Sequence, residues 1–275
     1  MLYTLENQIA KVVVSSHAAE IHSFIKKDEN IEYMWQGDPK FWSGRNPTLF
    51  PQVSNTRDGI HIFKNQRYIM GNHGFTRHSD FTLVSSDATD LILSLKDNAE
   101  TYQQYPYHFE LLIHFHLDGL KLNINYEIHN LDEAVMPFGF GLHPAFNCPM
   151  ADDRFEDYRI EFENAADNQF EMINDQTMNL NYELFEKYST VILKDFKSKY
   201  VTLTNGQQAI RVHTAGFPLL AFWTKPELKA PFVCIEPWHS YDNSPEIDLP
   251  FNDRKGIINL EAGKTFTTDY AIEIL

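Results

Sequence analysis

Apolar and polar side chains alternate almost without a break between residues 107 and 128. A period of two residues is typical of β-strands that bury one face, and Asp118-Gly119 supplies a turn between two such strands. The pattern predicts a long antiparallel hairpin. A further turn at residues 130–133 leads into a third extended stretch, residues 137–146, so that three strands are predicted to form a meander. The apolar positions of the hairpin are Tyr107, Phe109, Leu111, Ile113, Phe115, Leu117, Leu120, Leu122, Ile124, Tyr126 and Ile128.

The third stretch carries an unusual set of side chains. As a strand it places Gly139, Gly141 and His143 on one face. Two glycines on one face suggest that another group, such as a ligand, approaches the backbone there. Pro144 favours an extended backbone at His143 and donates no hydrogen bond, which predicts a strand end with the imidazole at its rim. A plain surface histidine at a strand end explains the pattern equally well.

Shorter runs predict strands on both sides of this region. In the first part of the chain the candidates are residues 9–14, 19–25 and 31–35, and a hairpin over residues 60–70 with its turn near 64–66. In the second half they are residues 158–163, 191–193, 201–203, 209–213, 219–223, 232–236 and 265–274.

A predicted helical turn, a predicted loop and the absence of a linker complete the prediction of the fold. Residues 183–188 predict a short helical turn, and residues 240–253, rich in Pro, Asn and Asp, predict a loop. Neither a repeat nor a linker divides the sequence. We expect a single domain over residues 1–275 with an all-β fold, a large antiparallel β-sandwich.

The composition and the net charge limit the classes of protein to which this sequence can belong. Hydrophobic residues make up 43% of the sequence and charged residues 22%, which is typical of a globular protein. The formal net charge of -15 disfavours nucleic acid and anionic membranes as partners, because both bind basic surfaces. We see no signal-peptide pattern, no apolar run of membrane-spanning length, and only two cysteines. These features predict a cytoplasmic protein with no nucleic acid and no membrane as partner.

A second strand end displays an ionisable side chain. In the run from residue 232 to residue 238, alternation separates Glu236 from Val233 and Ile235. Desolvation beside apolar and aromatic groups raises the pKa of a carboxyl and makes it a useful base near neutrality. Glu236 and His143 together would supply one general base and one general acid. The alternative is a partly buried structural glutamate paired with Lys or Arg.

Two loops carry further candidates. Residues 42–53 contain Arg45 between prolines and aromatics, and residues 71–80 contain His73 and Arg77 beside glycines. Loops of this composition often line functional sites. Solvated loops without a function have the same composition, so both interpretations stay open. Several aromatic side chains near these motifs are candidates either for a flat surface under a sugar ring or for the core: Trp42, Phe50, Phe75, Trp223 and Trp238.

Four of these motifs, taken in order, resemble the landmarks of a known family. They are residues 45–52 (RNPTLFPQ), 72–81 (NHGFTRHSDF), 141–146 (GLHPAF) and 233–238 (VCIEPW). Their content and order resemble the aldose 1-epimerase (galactose mutarotase) family, and most closely its LacX-like branch. The flanking strand patterns extend the resemblance over almost the whole chain.

The resemblance implies a galactose mutarotase-like β-sandwich, or supersandwich, with a site in a cleft across its concave sheet and no required metal or cofactor. It implies an isomerase that interconverts the α and β anomers of a hexose, its small-molecule sugar substrate. In that family a histidine at the position of His143 protonates the ring oxygen. A glutamate at the position of Glu236 takes the proton of the anomeric hydroxyl.

The same motif matching extends to the residues that bind the substrate. Arg45 and His73 are expected to hold the sugar, Arg77 to line the cleft, and Trp238 to offer an aromatic surface. These four residues and the acid/base pair are the site that the sequence predicts.

The motifs also depart from the family pattern. Residues 73–77 are closer to the form found in hexose-6-phosphate mutarotases than to the His-Gly-Gly form of the galactose enzymes. Residues 236–238 depart from that phosphate branch, and its arginine set is only partly matched by Arg45, Arg77 and Lys225. The sugar is therefore left open, including whether it carries a phosphate.

Other classes of protein remain as alternatives. His114 and His116 share one face of a strand, a spacing that suits a metal site such as that of cupins, although a hydrated polar face explains it too. A sugar-binding module without catalysis would need the aromatic side chains but no acid and base. Glycoside hydrolysis is disfavoured, because it usually needs two carboxyl groups and one is well placed. The oligomeric state is not indicated.

Overall fold

The fold is built from antiparallel strands. The computed structural model describes residues 1–241 and 249–275, and these ranges hold 23 strands and two short α-helices. Neither helix in the described ranges is long and apolar enough to cross a membrane.

The strands of the first half are β1 Leu2–Glu6, β2 Ala10–Ser15, β3 Ile21–Lys26, β4 Ile31–Glu32, β5 Thr48–Leu49, β6 Ile60–Phe63, β7 Gln66–Ile69, β8 Thr82–Ser86, β9 Asp90–Lys96, β10 Phe109–Asp118, β11 Lys121–Asn130, β12 Met136–Phe138, β13 Gly141–Leu142 and β14 Ala145–Asn147. Those of the second half are β15 Arg159–Phe162, β16 Thr177–Asn179, β17 Val191–Lys194, β18 Tyr200–Thr204, β19 Ala209–His213, β20 Leu219–Trp223, β21 Phe232–Trp238, β22 Ile258–Leu260 and β23 Thr265–Ile274. The α-helices are α1 Ala99–Gln104 and α2 Tyr182–Tyr188. Short 3-10 helices cover Arg57–Gly59, Thr76–His78, Phe155–Asp157, Ala165–Gln169, Pro226–Leu228 and Phe251–Asp253.

The largest sheet has nine strands, in the order β16-β15-β18-β19-β23-β11-β10-β9-β8. Its centre is the predicted hairpin, in which Phe109 lies opposite Asn130 and Asp118 lies opposite Lys121. The apolar positions of β10 and β11 are buried, and the positions between them are partly or fully exposed. The alternation that predicted this hairpin is therefore confirmed.

Most of the shorter predictions are confirmed as well. β2 and β3 fall on the first two candidate runs, β6 and β7 form the hairpin of residues 60–70, and α2 covers residues 183–188. The seven runs of the second half correspond to β15, β17 to β21, and β23. Of the run 31–35, Ile31–Glu32 is regular strand. The sequence did not predict β1, β5, β8, β9, β16, β22 or α1.

A six-stranded sheet carries Glu236. The predicted strand end at this residue is wrong, because β21 continues through Pro237 to Trp238. The order of the sheet is β17-β20-β21-β13-β5, and β14 also pairs with β21. Gly141 of β13 lies opposite Trp238, and Ala145 of β14 lies opposite Cys234. The register is unchanged across the short gap between β13 and β14. Residue 143 therefore lies opposite residue 236.

Aromatic side chains join the two large sheets across one core. Phe222 of β20 contacts Phe162 of β15 with ring centroids 6.1 Å apart, and Phe140 contacts Tyr126 of β11 at 5.2 Å. The apolar cluster that contains them includes residues from Leu5 to Ile274. Two antiparallel sheets that bury their apolar faces against each other form the β-sandwich that the sequence predicts.

The predicted three-stranded meander is wrong. The stretch after the hairpin leaves the nine-stranded sheet: β12 pairs with β22, and β13 joins the six-stranded sheet. The edge of β11 that a third strand would need is occupied by the last strand, β23. The two strands pair from Lys121 opposite Glu273 to His129 opposite Thr265. No backbone donors and acceptors are left there for a third strand.

The two glycines do mark a close approach to the backbone, as predicted, but the approaching groups are protein side chains and not a ligand. A Cβ atom at Gly139 would lie 2.7 Å from Oγ of Ser240, and one at Gly141 would lie 2.6 Å from Cδ1 of Trp238. Protein side chains therefore occupy the space in front of both glycines. The predicted loop of residues 240–253 falls in part on residues 242–248, outside the described residues, and its end contains the 3-10 turn Phe251–Asp253.

Gly74 holds two site-bearing loops in contact. Its φ is +72°, and a Cβ atom there would lie 2.3 Å from the carbonyl oxygen of Phe50. The same oxygen accepts hydrogen bonds from N of Thr76 at 3.3 Å and from its Oγ1 at 2.8 Å. The loop that carries His73 is thus fixed against the loop that follows β5.

We predict that Gly74→Ala destabilises the protein more than Gly119→Ala does. Gly119 has a similar φ of +60° with open space in front of it, so its replacement costs only the backbone strain of about 1–2 kcal/mol. Gly74→Ala adds a backbone clash worth about 1–3 kcal/mol. Urea-induced unfolding of both variants measures the difference. Equal losses would show that the contact with Phe50 is not tight.

Candidate active site

A cleft of about 580 Å³ opens beside the six-stranded sheet. Five of the six predicted site residues line it: His143, Glu236, His73, Arg77 and Trp238. Arg45 does not. The remaining described residues of the lining are Trp42, Ser54, Asn55, Asn72, Thr190, Ile192, Trp223, Lys225 and Tyr241.

His143 and Glu236 meet at the back of this cleft. The register of β13 and β14 against β21 brings them together, and Nε2 of His143 lies 3.3 Å from Oε2 of Glu236. The His143 side chain is 10% exposed and that of Glu236 is 2% exposed. Within the described residues, Nδ1 of His143 and Oε2 of Glu236 have no hydrogen-bond partner. The pair therefore retains hydrogen-bonding capacity for a third group.

Burial shifts both groups toward their neutral forms. Desolvation raises the pKa of the Glu236 carboxyl well above its ordinary value, against smaller opposing effects of the Trp238 indole and the charge of Arg77. Desolvation also lowers the pKa of the His143 imidazole well below its ordinary value, and the nearby His73 and Arg77 act in the same direction. The uncharged forms of acid and base are favoured in this environment.

Two indole rings enclose the imidazole of His143. Trp42 lies against it with ring centroids 4.9 Å apart and an interplanar angle of 32°, and Trp223 meets it edge-on at 5.6 Å. The two indoles also contact each other at 5.4 Å. These rings form an apolar wall beside the acid/base pair and account for much of the desolvation.

His73 is held in one tautomer by the backbone. Its Nδ1 accepts a hydrogen bond from the backbone N–H of Ser54 at 3.0 Å, and the backbone N–H of His73 donates to the carbonyl of Ser54 at 2.9 Å. Burial lowers the pKa of His73 to about 3, with Arg77 adding to the effect, so the ring is neutral. A neutral imidazole that accepts at Nδ1 carries its hydrogen on Nε2, which makes His73 a donor toward the cleft.

Arg77 and Lys225 bring positive charge to the cleft lining. Arg77 is on the 3-10 turn Thr76–His78, where desolvation lowers its pKa and the carboxyl groups of Glu20 and Glu236 oppose that shift. Lys225 precedes the 3-10 turn Pro226–Leu228 at the end of β20. A protein with a formal net charge of -15 thus places two cations at this cleft.

Trp238 and Tyr241 form another wall. Their rings stack with centroids 5.6 Å apart and an interplanar angle of 13°. The indole N–H of Trp238 donates to the carbonyl of Leu142 at 3.2 Å, which fixes the ring beside Gly141. Phe50 and Phe75, the other two aromatic candidates, are buried in the core and do not line the cleft.

Arg45 lies outside the lining of the cleft. Its backbone N–H donates to Oε1 of Glu20 at 2.9 Å, and its charge acts on the carboxyl groups of Glu20 and Glu32 and on His22. Its predicted contact with the sugar stays a prediction that the position of the side chain does not support.

The paired histidines His114 and His116 lie elsewhere, on the polar face of the nine-stranded sheet. Nε2 of His114 and Nδ1 of His116 lie 2.8 Å and 2.9 Å from the same Oδ1 of Asp90. Both rings are more than 40% exposed. Asp90 thus bonds each of the two rings separately, an arrangement that suits a hydrated polar face.

Several cleft residues were not predicted as site residues: Ser54, Asn55, Thr190, Ile192 and Tyr241. Ser54 acts through its backbone, which no side-chain pattern reveals. Ile192 belongs to β17, and Thr190 directly precedes that strand. Both reach the cleft because β17 pairs with β20. Their place follows from long-range strand pairing and has no local signature.

Comparisons with known proteins agree with this fold. The family described as aldose 1-epimerase matches residues 1–272. The plasmid-encoded protein LacX of Lactococcus lactis subsp. lactis is 30% identical over the full length of both chains.

Two solved structures are similar over their whole length. A galactose mutarotase related enzyme from Lactobacillus acidophilus has a TM-score of 0.90 and 28% identity, over 100% of this chain and 97% of that one. A galactose mutarotase-like protein from Lactobacillus casei ATCC 334 has a TM-score of 0.91 and 26% identity, over 100% of both chains. The galactose mutarotase-like sandwich is confirmed. The chain belongs to the aldose 1-epimerase family and is an isomerase of that type.

Proposed function

We propose that the protein interconverts the α and β anomers of a hexose, with His143 as general acid and Glu236 as general base. The observation that carries this proposal is the 3.3 Å contact between the two side chains at the back of a cleft of about 580 Å³. An acid and a base at one point are what the opening of a cyclic hemiacetal requires. We retain the cytoplasm as the proposed location, since both cysteines are free and buried thiols.

The proposed reaction opens and recloses the sugar ring. Protonated His143 gives its proton to the ring oxygen as the bond from that oxygen to C1 breaks. The Glu236 carboxylate takes the proton of the anomeric hydroxyl, whose oxygen becomes the carbonyl of the aldehyde. Rotation about the bond between C1 and C2 presents the other carbonyl face, and closure returns each proton to its donor.

The burial of His143 and Glu236 is consistent with these proton transfers. The ion pair of imidazolium and carboxylate holds the same number of protons as the neutral pair, so the two forms differ by one transfer across the 3.3 Å contact. Ring opening starts from the ion pair and leaves the neutral pair. Burial favours the neutral pair and therefore stabilises the site while it holds the open-chain sugar.

His73 supports the reaction as a donor. Its neutral ring contacts that of His143 edge-on, with centroids 5.7 Å apart, and its tautomer places a hydrogen on Nε2. A fixed donor in a partly desolvated cleft polarises a sugar oxygen without giving up its proton.

We predict that His143→Asn and Glu236→Gln each slow anomer exchange by about 10²- to 10⁴-fold, because each removes one of the two proton carriers. Polarimetry of a freshly dissolved single anomer, or NMR exchange spectroscopy, gives the rate. Circular dichroism checks that each variant is folded.

The matched control is His239→Asn. It alters another imidazole with little exposure, hydrogen-bonded to Thr268 and outside the described cleft lining. We expect near-normal exchange in this variant. Near-normal exchange in a folded His143→Asn or Glu236→Gln would refute the proposed roles, and binding of sugar by the wild type without faster exchange would favour the sugar-binding module.

A phosphorylated hexose is a second candidate substrate, and the two cations of the cleft favour it. Arg77 and Lys225 line a cleft whose carboxyl, Glu236, is shifted by burial toward its uncharged form. Guanidinium and ammonium groups are the common partners of phosphate. An anionic substituent on the sugar would thus meet net positive charge.

For a phosphorylated substrate we predict that Lys225→Ala raises KM for a hexose 6-phosphate by about tenfold, which corresponds to about 1.4 kcal/mol. Its KM for the free hexose is expected to change little. Lys229→Ala, which removes an equal charge from an exposed position four residues away, is the control. Equal effects of Lys225→Ala on both sugars would argue against a phosphate contact.

A further inference from the structure

A third donor side chain lies beside the acid/base pair. Cys234 and Glu236 are two residues apart on β21 and therefore project from the same face of the strand. A ring nitrogen of His143, Sγ of Cys234 and a carboxylate oxygen of Glu236 all lie within 4.8 Å of one another. Cys234 is completely buried and is not needed for the proton transfers proposed above.

We propose that His143, Cys234 and Glu236 form a reversible binding site for a divalent cation of the zinc class, and that its occupation inhibits the enzyme. The inhibition part of this inference rests on the proposed roles of His143 and Glu236. A cation bound there engages the lone pairs that the acid and the base need for proton transfer.

The donor types and their spacing suit zinc. Imidazole nitrogen, thiolate sulfur and carboxylate oxygen are its usual ligands, at about 2.0–2.3 Å. Nitrogen and oxygen ligands at such distances in a tetrahedron are about 3.3 Å apart. The observed separation of Nε2 of His143 and Oε2 of Glu236 is 3.3 Å, so one edge of the tetrahedron is already in place.

The electrostatics of the buried site favour a cation as well. A carboxylate and a thiolate without a counter-charge are costly at this buried position. A divalent cation balances both anions, and the resulting complex carries no net charge. Oε2 of Glu236, buried and with no hydrogen-bond partner among the described residues, is a ready ligand atom.

Two features indicate a reversible inhibitory site and not a structural one. His143 and Glu236 line the cleft, so the fourth position of the ion opens toward solvent and substrate. Nδ1 of His143 has no hydrogen-bond partner in the described part of the chain, whereas metal-binding histidines usually donate through their second nitrogen. Without a hydrogen bond to this second nitrogen, the affinity expected for the ion is lower.

The test uses two readouts on the full-length protein after treatment with a chelator. Co²⁺ titration is followed by absorption, because a thiolate ligand gives a charge-transfer band. Zn²⁺ titration is followed by the rate of anomer exchange. We expect the band in the wild type, and a loss of exchange that a chelator reverses.

Cys234→Ser is the diagnostic variant and Cys148→Ser is its matched control, since Cys148 is also free and buried but lies outside the cluster. Loss of an outer-shell partner weakens metal binding by about 10- to 100-fold, so loss of a direct ligand is expected to raise the inhibitory Zn²⁺ concentration at least about tenfold. Each variant is compared with its own rate without metal. Cys234→Ala repeats the measurement in case the serine hydroxyl disturbs the buried site.

The outcomes separate this proposal from the proposed function. Absence of the cobalt band in the wild type, or equal Zn²⁺ inhibition of the wild type and Cys234→Ser, overturns the cation site. The cobalt spectrum requires no turnover. A band that disappears in Cys234→Ser, in a protein that does not accelerate anomer exchange, would support the site and refute the catalytic assignment.

Discussion

The active site depends on the register in which one segment, residues 141–147, pairs with β21. This register sets His143 opposite Glu236 although 92 residues separate them in the sequence. Each of the two precedes a proline, which restricts its backbone to extended conformations. Pro144 also interrupts the ladder between β13 and β14, and the imidazole lies at that interruption. A slip of this segment by one residue would turn His143 to the face opposite Glu236.

The same packing that aligns the pair removes it from water. The indoles of Trp42 and Trp223 cover the imidazole, and β21 is buried along its whole length. Desolvation works against charge in both members of the pair, and the proposed chemistry requires that charge to form and disappear in each turnover. The two proton arrangements of the pair have equal total charge, and burial favours the uncharged one. A more exposed pair would hold its charges more firmly and pass protons between them less readily.

The elements with a strong local signal could be predicted from the sequence. The hairpin of β10 and β11 was evident because both strands bury one face and a turn of Asp118-Gly119 joins them. His143 and Glu236 were recognisable as ionisable residues before prolines, although Glu236 lies inside β21 and not at its end. His143 and Glu236 also lie together as predicted, whereas the neighbours of two other segments were predicted wrongly. The edge of β11 is taken by β23, more than 130 residues away, and the glycine face is filled by the ring of Trp238.

The positions of the residues around the pair of His143 and Glu236 also had no local signal in the sequence. Ser54 fixes the tautomer of His73 through a main-chain amide, which any residue type other than proline could supply. Arg45, chosen by its motif, turned out to contact Glu20 through its backbone and to lie outside the cleft lining. Motif position thus correctly placed five of the six predicted residues in the cleft lining and did not give the direction of one long side chain.

The placement of the tryptophans gives the protein a built-in optical reporter. It has four, of which Trp42, Trp223 and Trp238 line the cleft. The fourth, Trp35, donates a hydrogen bond to the carbonyl of Trp42. Indole emission responds to local polarity and to contact with imidazole, so the intrinsic fluorescence of this chain arises almost wholly at or beside the cleft. Occupancy can be followed by light in the unlabelled enzyme, in variants that no longer turn over.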